Sequence, residues 1–199
     1  MKLMIALLAL LSSLSSFATL TGAPAPDFTL KSAGTKDGEI KLSSYKGKVV
    51  VLEWLNHGCP FVRKHYDSGS MQALQTKYTS KNVIWLSVIS SAPGKQGHVT
   101  ADEARKDVVK NKSGATNILL DPTGQVGQLY GAKTTPHMFI VDKDGVLAYQ
   151  GAIDDRPDAE IASVKSAKNY VAEALDLLLT NKKITHATTK SYGCGVKYQ

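Results

Sequence analysis

Two uninterrupted apolar runs constrain this chain more than anything else in it. Val49-Val50-Val51-Leu52, continuing through Glu53 and Trp54, and Val83-Ile84-Trp85-Leu86-Ser87-Val88-Ile89 are rich in β-branched and aromatic residues and show no polar alternation. A strand that is apolar throughout is covered on both faces, as central parallel strands between helical layers are. Parallel neighbours need a crossover, usually a helix. The intervening chain supplies one that opens at Pro60, is interrupted at Gly69 and continues with Met71, Leu74 and Tyr78 on one face.

The flanking segments extend the same plan. Asp27 to Leu30 and Glu39 to Leu42 alternate polar and apolar residues, as half-buried strands do. Thr100-Ala101-Asp102-Glu103 is a capping box for a helix ending near Asn111. Ile118 to Leu120 reads as a short strand and Asp121-Pro122-Thr123-Gly124 as a turn, followed by a short helix from Gln125 to Tyr130. Met138 to Val141, the turn Asp142-Lys143-Asp144-Gly145, and Val146 to Tyr149 read as a hairpin. Val164, Ala167, Tyr170, Val171, Ala174, Leu175 and Leu178 recur at helical spacing, so one helix is expected across 164–178. Residues 181–199 form a polar tail. The order β-α-β-α-β, hairpin, helix predicts an α/β fold, a mixed central sheet with helices on both faces.

Cys59 stands where such a fold does chemistry, at the carboxyl end of the first parallel strand and just before the proline that opens the helix. There the partial positive charge and free N–H groups of the helix N-terminus favour the thiolate, which is the nucleophilic form. Pro60 stiffens that turn and takes the first helical position without wasting a donor. A sulfur held, ionised and reachable at the mouth of a helix is the expectation. The place of a second cysteine in a Cys-x-x-Cys motif is taken by Val62, and the only other cysteine is Cys194, between Gly193 and Gly195.

The ends and the charge set bounds. Met1-Lys2, the apolar stretch Leu3 to Leu14 and Ser16-Phe17-Ala18 have the layout of a cleaved secretory signal covering residues 1–18, too short for a stable membrane span. The mature domain is then 19–199, periplasmic or secreted, in a compartment where disulfides persist. Two cysteines permit one intramolecular bridge and demand none. Bridging Cys59 to Cys194 would close a long loop, worth on the order of 4–5 kcal/mol in the chain-entropy model. The net charge of +7 is spread along the sequence without basic blocks or interleaved aromatics, so nucleic acid is not an expected partner.

Four features in order then resemble the thioredoxin superfamily, specifically the redoxin branch of alkyl hydroperoxide reductase and the thiol-specific antioxidants. They are Ala25-Pro26-Asp27-Phe28, the strand–turn–Cys59-Pro60–helix unit, Leu120-Asp121-Pro122-Thr123-Gly124 with Tyr130-Gly131, and Thr134-Thr135-Pro136 leading into Met138 to Asp142. The resemblance covers roughly residues 24–180. It implies that Thr135-Pro136 is the cis-proline loop lying against the active cysteine, with backbone able to pair with an incoming chain. Typical peroxiredoxins carry proline and threonine where this chain has Leu52 and Asn56, so the peroxide-binding motif is not intact. The Gly-Cys-Pro-Phe-Val turn and the Tyr-Gly-Cys near the C-terminus are similar to a bacterial group of exported thioredoxin-like proteins.

The expected function is that of an exported thiol-dependent oxidoreductase. Cys59 attacks a disulfide or peroxide substrate, and Cys194 or an external thiol resolves the product. No cofactor or metal is expected, so electrons come from a protein or small-molecule thiol. Cys194 serves as resolving thiol, as half of a permanent bridge, or in no bridge. Supporting roles are open for several neighbours. His57 as imidazolium lowers the thiol pKa or relays a proton, or else simply faces solvent. Asn56 offers a hydrogen bond. Arg63, one helical turn past Cys59, stabilises an anion or lies on a solvated face. Glu53 is a buried proton-handling acid or an exposed edge residue. His137 is close enough in sequence to the loop to reach the site. The alternatives in other classes are a copper chaperone using His57, Cys59 and His137, and a redox-silent binding module.

Overall fold

The computed structural model describes residues 20–34 and 38–199; the expected signal segment lies outside them. The chain forms β1 (Thr29–Ser32), β2 (Glu39–Lys41), β3 (Val50–Trp54), α1 (Pro60–Asp67), α2 (Ser70–Thr79), β4 (Ile84–Ile89), α3 (Ala101–Lys110) and β5 (Asn117–Leu120). There follow α4 (Gln125–Tyr130), β6 (Thr134–Thr135), β7 (His137–Val141), β8 (Leu147–Gly151), α5 (Tyr170–Leu179) and β9 (Cys194–Gly195). Seven strands make one mixed sheet in the order β2-β1-β5-β4-β3-β7-β8, and β6 with β9 makes a separate two-stranded ribbon.

The two apolar runs are parallel neighbours, with Leu52 opposite Leu86 on one side and, across the antiparallel β3–β7 ladder, opposite Phe139 on the other. Strand alternation splits their side chains between two cores. Val51 and Leu55 join Val62, Met71, Tyr78, Trp85, Val171 and Leu175 under α1, α2 and α5. Val50, Leu52 and Trp54 join Phe28, Leu86, Val126, Tyr130 and Phe139 beneath α4. Both faces of β3 are therefore dry, which is why its sequence has no polar alternation. The exception, Glu53, is fully buried on the first face.

Gly69 interrupts the crossover helix as expected, in the left-handed conformation, and itself caps α2. The capping box at Thr100 and Glu103 forms as read. The expected helix over 164–178 is shorter. Its first part is a 3₁₀ turn (Ile161–Ser166), and α5 begins only at Tyr170, where the Asn169 side chain accepts the Ala172 N–H. The first segment buries none of its side chains, and the Asn169 cap sets the helix start. No helix among the described residues is long and apolar enough to cross a membrane.

The tail is the main departure. It runs as a strap along the end of the sheet: the Thr189 N–H donates to the Gln150 carbonyl (3.0 Å), the Val196 N–H to Lys133 (3.1 Å), and the Ala92 N–H to the Lys197 carbonyl (2.9 Å). The Tyr198 hydroxyl donates to the Ala132 carbonyl at 2.6 Å. Its ring fills a slot against Gly124 and Gly127, where an added Cβ would lie 2.5 Å from Tyr198 atoms.

Candidate functional site

Cys59 is the N-cap of α1, with β-region backbone, and its carbonyl accepts the Val62 and Arg63 N–H groups at 3.0 and 2.9 Å. The turn before it is braced from outside the helix. Asn56 Oδ1 accepts the Gly58 N–H (2.8 Å), and Asn56 Nδ2 donates to the Gln96 carbonyl (3.3 Å). Gln96 Nε2 in turn donates to the Gly58 carbonyl at 3.0 Å. Asn56 is thus committed to shaping the turn; both ends of its amide are used within the protein.

The Thr135–Pro136 peptide bond is cis. The Thr135 carbonyl lies 3.0 Å from Cys59 Sγ and accepts from the thiol. Opposite it, the strap pairs antiparallel with this loop, Thr135 against Cys194 and Thr134 against Gly195. That register brings the Cys194 side chain to the same sulfur, and the two thiols, both free, hydrogen-bond one another. Gly193 permits the approach: its φ is +123°, and a Cβ there would sit 2.1 Å from the Thr135 oxygen. A strand pairing between the tail and the loop has therefore closed a sequence separation of 135 residues.

The electrostatics of the pair are unequal. Burial opposes ionisation of Cys59, but donors to its sulfur (the Cys194 thiol, Thr135, and the Val62 N–H) outweigh it and hold the thiol below its ordinary value. The contact from Sγ–H to the Thr135 carbonyl works the other way, favouring the neutral thiol, and is given up on ionisation. Cys194 is pushed up to about 11 by burial and by the Cys59 sulfur that it serves as donor. Cys59 is consequently the more acidic thiol of the pair, and Cys194 the one that holds its proton more tightly.

One expectation is overturned. Cys59 has 0% of its surface exposed, so the sulfur is not reachable in this state. Cys194 and Thr135, the groups that hydrogen-bond it, are part of its cover, and Cys194 belongs to the strap. A surface cavity of about 360 Å³ opens between Leu42, Tyr45, Lys48 and Val141, at the other end of β3 from the thiol, and includes neither cysteine.

The remaining candidates divide. Glu53 is buried, not at an edge: Oε2 accepts from Trp85 Nε1 (2.7 Å), Ser87 Oγ (2.9 Å) and Gln75 Nε2 (3.1 Å), and Oε1 from the Tyr66 hydroxyl (3.1 Å). Burial raises its pKa against the pull of these four donors. His57 is not an imidazolium, because burial lowers its pKa. Its ring meets Tyr66 edge-on, and both ring nitrogens are buried without a hydrogen-bond partner. Arg63 turns from the sulfur to pair with Asp67 at 2.9 Å, on the half-exposed face of α1. His137 accepts the Lys133 N–H at Nδ1 (3.2 Å) and packs on Phe139, with burial holding its pKa at about 4. No three His, Cys, Asp or Glu side chains converge into a metal-holding group among the described residues.

Sequence reading missed the residues that pin the strap beside Cys194. Lys64, His65 and Asp154 are each at least 98% buried and meet Tyr192. Only the short spacing in Tyr192-Gly193-Cys194 hinted at them.

The comparisons with known proteins agree with this architecture. The model of the AhpC/TSA family matches residues 21–150. No curated protein matches the chain. A hypothetical protein of Sinorhizobium meliloti 1021 is 23% identical with a TM-score of 0.76, over 92% of this chain and 97% of that one. An uncharacterized conserved protein of Geobacillus kaustophilus is 24% identical with a TM-score of 0.75, over 90% and 93%. These two show the fold. A Chlorobium tepidum protein described as a candidate thiol:disulfide interchange protein DsbE is 29% identical with a TM-score of 0.56, over 79% and 99%.

Proposed function

Because the chain belongs to the AhpC/TSA family, a redox family of thioredoxin-like fold, we propose that it is an exported thiol oxidoreductase in which Cys59 attacks and Cys194 resolves. The observation that carries this reading is the Thr135–Cys194 pairing, which lays the only other cysteine against the sulfur at the start of α1. The unequal acidities support the division of labour. The more acidic sulfur is the nucleophile, and the thiol at about 11 keeps its proton until its own step.

The preferred substrate class is a disulfide. Thiolate Cys59 forms a bond to one substrate sulfur and expels the other as thiolate. Cys194 then loses its proton, attacks Cys59 Sγ and releases the first substrate sulfur, leaving a Cys59–Cys194 disulfide and a reduced substrate. A thiol reductant, protein or small molecule, restores the pair. Two points support disulfides over peroxides. Asn56, where peroxiredoxins carry threonine, spends its amide on the turn. The loop at Thr134–Thr135 holds a cysteine-bearing polypeptide strand, the strap itself, by backbone pairing. The similarity to the Chlorobium tepidum protein points the same way. Either substrate reaches Cys59 only after the strap lifts.

Glu53 is proposed as the buried acid of the site, and Pro60, Thr135 and Pro136 as the turn and loop that shape it. Export follows from residues 1–18. The test is to challenge reduced Cys194→Ser protein with hydrogen peroxide and with oxidised glutathione. Rapid mixed-disulfide formation with slow peroxide oxidation is expected. Fast peroxide consumption with a stable sulfenate at Cys59 would establish the peroxidase instead. Inertness to both would remove the redox reading, and the intact mass of the exported protein reports the signal cleavage.

A further inference from the structure

The strap is held beside Cys194 by a cluster that the reaction scheme does not use. Lys64 and His65 lie on α1, the helix that Cys59 caps, and Asp154 follows β8. All three are buried, with Lys64 1% and Asp154 2% exposed. Lys64 Nζ donates to the Arg156 carbonyl at 2.6 Å, and lies 4.0 Å from Asp154 Oδ1 and 3.7 Å from Asp158 Oδ1. Asp154 Oδ1 accepts the Arg156 N–H at 3.0 Å.

Tyr192 enters this cluster from the strap. Its hydroxyl donates to Asp154 Oδ1, its oxygen is 3.2 Å from His65 Nε2, and its ring lies 5.2 Å from Lys64 Nζ. Burial holds His65 near 4, so the ring is neutral; with the Tyr192 proton given to Asp154, Nε2–H of His65 is the donor to the Tyr192 oxygen. The hydroxyl is thereby fixed from both sides. Buried ions are costly unless paired and hydrogen-bonded, and the strap's phenol provides one of the hydrogen bonds this carboxylate accepts.

The position of this contact gives it a consequence for chemistry. One residue, Gly193, separates Tyr192 from Cys194, and that residue is pressed against the Thr135 carbonyl. The clasp therefore ties the resolving thiol, through two peptide units, to the same helix that carries the attacking one. We propose that Tyr192 is a positioning residue: held by Asp154 and His65, its hydroxyl sets the register in which the strap presents Cys194 to the Cys59 adduct. This rests on the reading of Cys194 as the resolving thiol and adds the residue that aims it. Small misplacements of a reacting atom are expensive in rate, so losing the clasp slows the second step and spares the first.

The test follows both steps of one turnover. Reduced mature protein is mixed with oxidised glutathione, quenched with acid at short times and analysed by mass spectrometry. The Cys59–glutathione adduct and the intramolecular disulfide are counted separately. In the native protein the adduct passes rapidly to the Cys59–Cys194 disulfide. In Tyr192→Phe, adduct formation is no slower, but its conversion falls about 10- to 100-fold, the range for a lost hydrogen bond to a buried charge. His65→Gln leaves the Lys64–Asp154 pair in place and slows the same step about 2- to 10-fold, as for a neutral hydrogen bond. A role confined to overall stability would lower the melting temperature without separating the two steps. Conversion as fast in both variants as in the native protein overturns the proposal. Persistence of the adduct in the native protein itself overturns the resolving role of Cys194 first, and the positioning role with it.

Discussion

Gly193→Ala measures what the strap does. At this position φ is +123°, a conformation that costs a residue with a Cβ about 1–3 kcal/mol. The added Cβ would also stand 2.1 Å from the Thr135 oxygen and 2.9 Å from its carbonyl carbon, backbone atoms anchored beside Cys59. Relief requires the strap to withdraw, because β6 continues into the core strand β7 and the tail does not. A penalty of 1–3 kcal/mol changes the seated-to-lifted ratio by roughly 5- to 150-fold. Since Cys59 is fully covered when the strap is seated, its alkylation by iodoacetamide tracks the lifted fraction when lifting is fast. The comparison is made in a Cys194→Ser background, so that one thiol is read, with circular dichroism to verify the fold. Cys59 alkylation at neutral pH is expected to accelerate about 5- to 100-fold on adding Gly193→Ala. An unchanged rate in a folded variant would mean that the strap is not the gate, and the route to Cys59 must be sought elsewhere.

Three further outcomes follow from the site. His65 and His137 have folded-state pKa values of about 4 against an ordinary 6.5, so the unfolded chain binds more protons between these limits. Stability therefore falls as pH drops from 6.5 toward 4, by up to about 3 kcal/mol per histidine; urea denaturation at pH 6.5 and 5 shows the slope, and a flat profile refutes it. Glu53 has the opposite sign: its pKa is raised, so its contribution is fully present below the usual carboxylate range and is lost as pH rises through the folded value. In Glu53→Gln the amide oxygen can accept from two of the three donors now on Oε2, while its nitrogen can donate to the Tyr66 hydroxyl oxygen. The variant should fold and gain on the native protein in denaturation midpoint as pH rises above 4.5, and a constant difference across pH would argue against a raised pKa. Arg63→Ala removes a half-exposed pair with Asp67, worth about 0–1 kcal/mol, and should leave the rate of Cys59 alkylation unchanged within twofold.

The sheet was legible because its signals are local. The two apolar runs became the central parallel pair β3 and β4 for the reason their composition implied, coverage on both faces. The capping box, the Gly69 break and the turn between β7 and β8 lie within a few residues of the structures they specify, and so does the placement of Cys59 at a helix start. Where one local signal overrode another, the reading slipped: helical periodicity ran through 164–178, but Asn169 capped a later start.

The chemistry of the site depended on contacts with no local signature. Asn56 looked available to a substrate, yet it satisfies itself across to Gln96, whereas Arg63 takes the solvated-face alternative, pairing with Asp67 along its own helix. Lys64 and His65 carry no mark in the sequence; Asp154 and Tyr192, distant in the chain, are what enclose them. By itself the sequence determined where the Cys59 thiol sits, because a strand end and a helix start are encoded by their own residues. Whether that sulfur is covered, and by which thiol, was decided only in three dimensions. It follows from how a tail far along the chain pairs with a loop, and that pairing is made by backbone groups every residue carries.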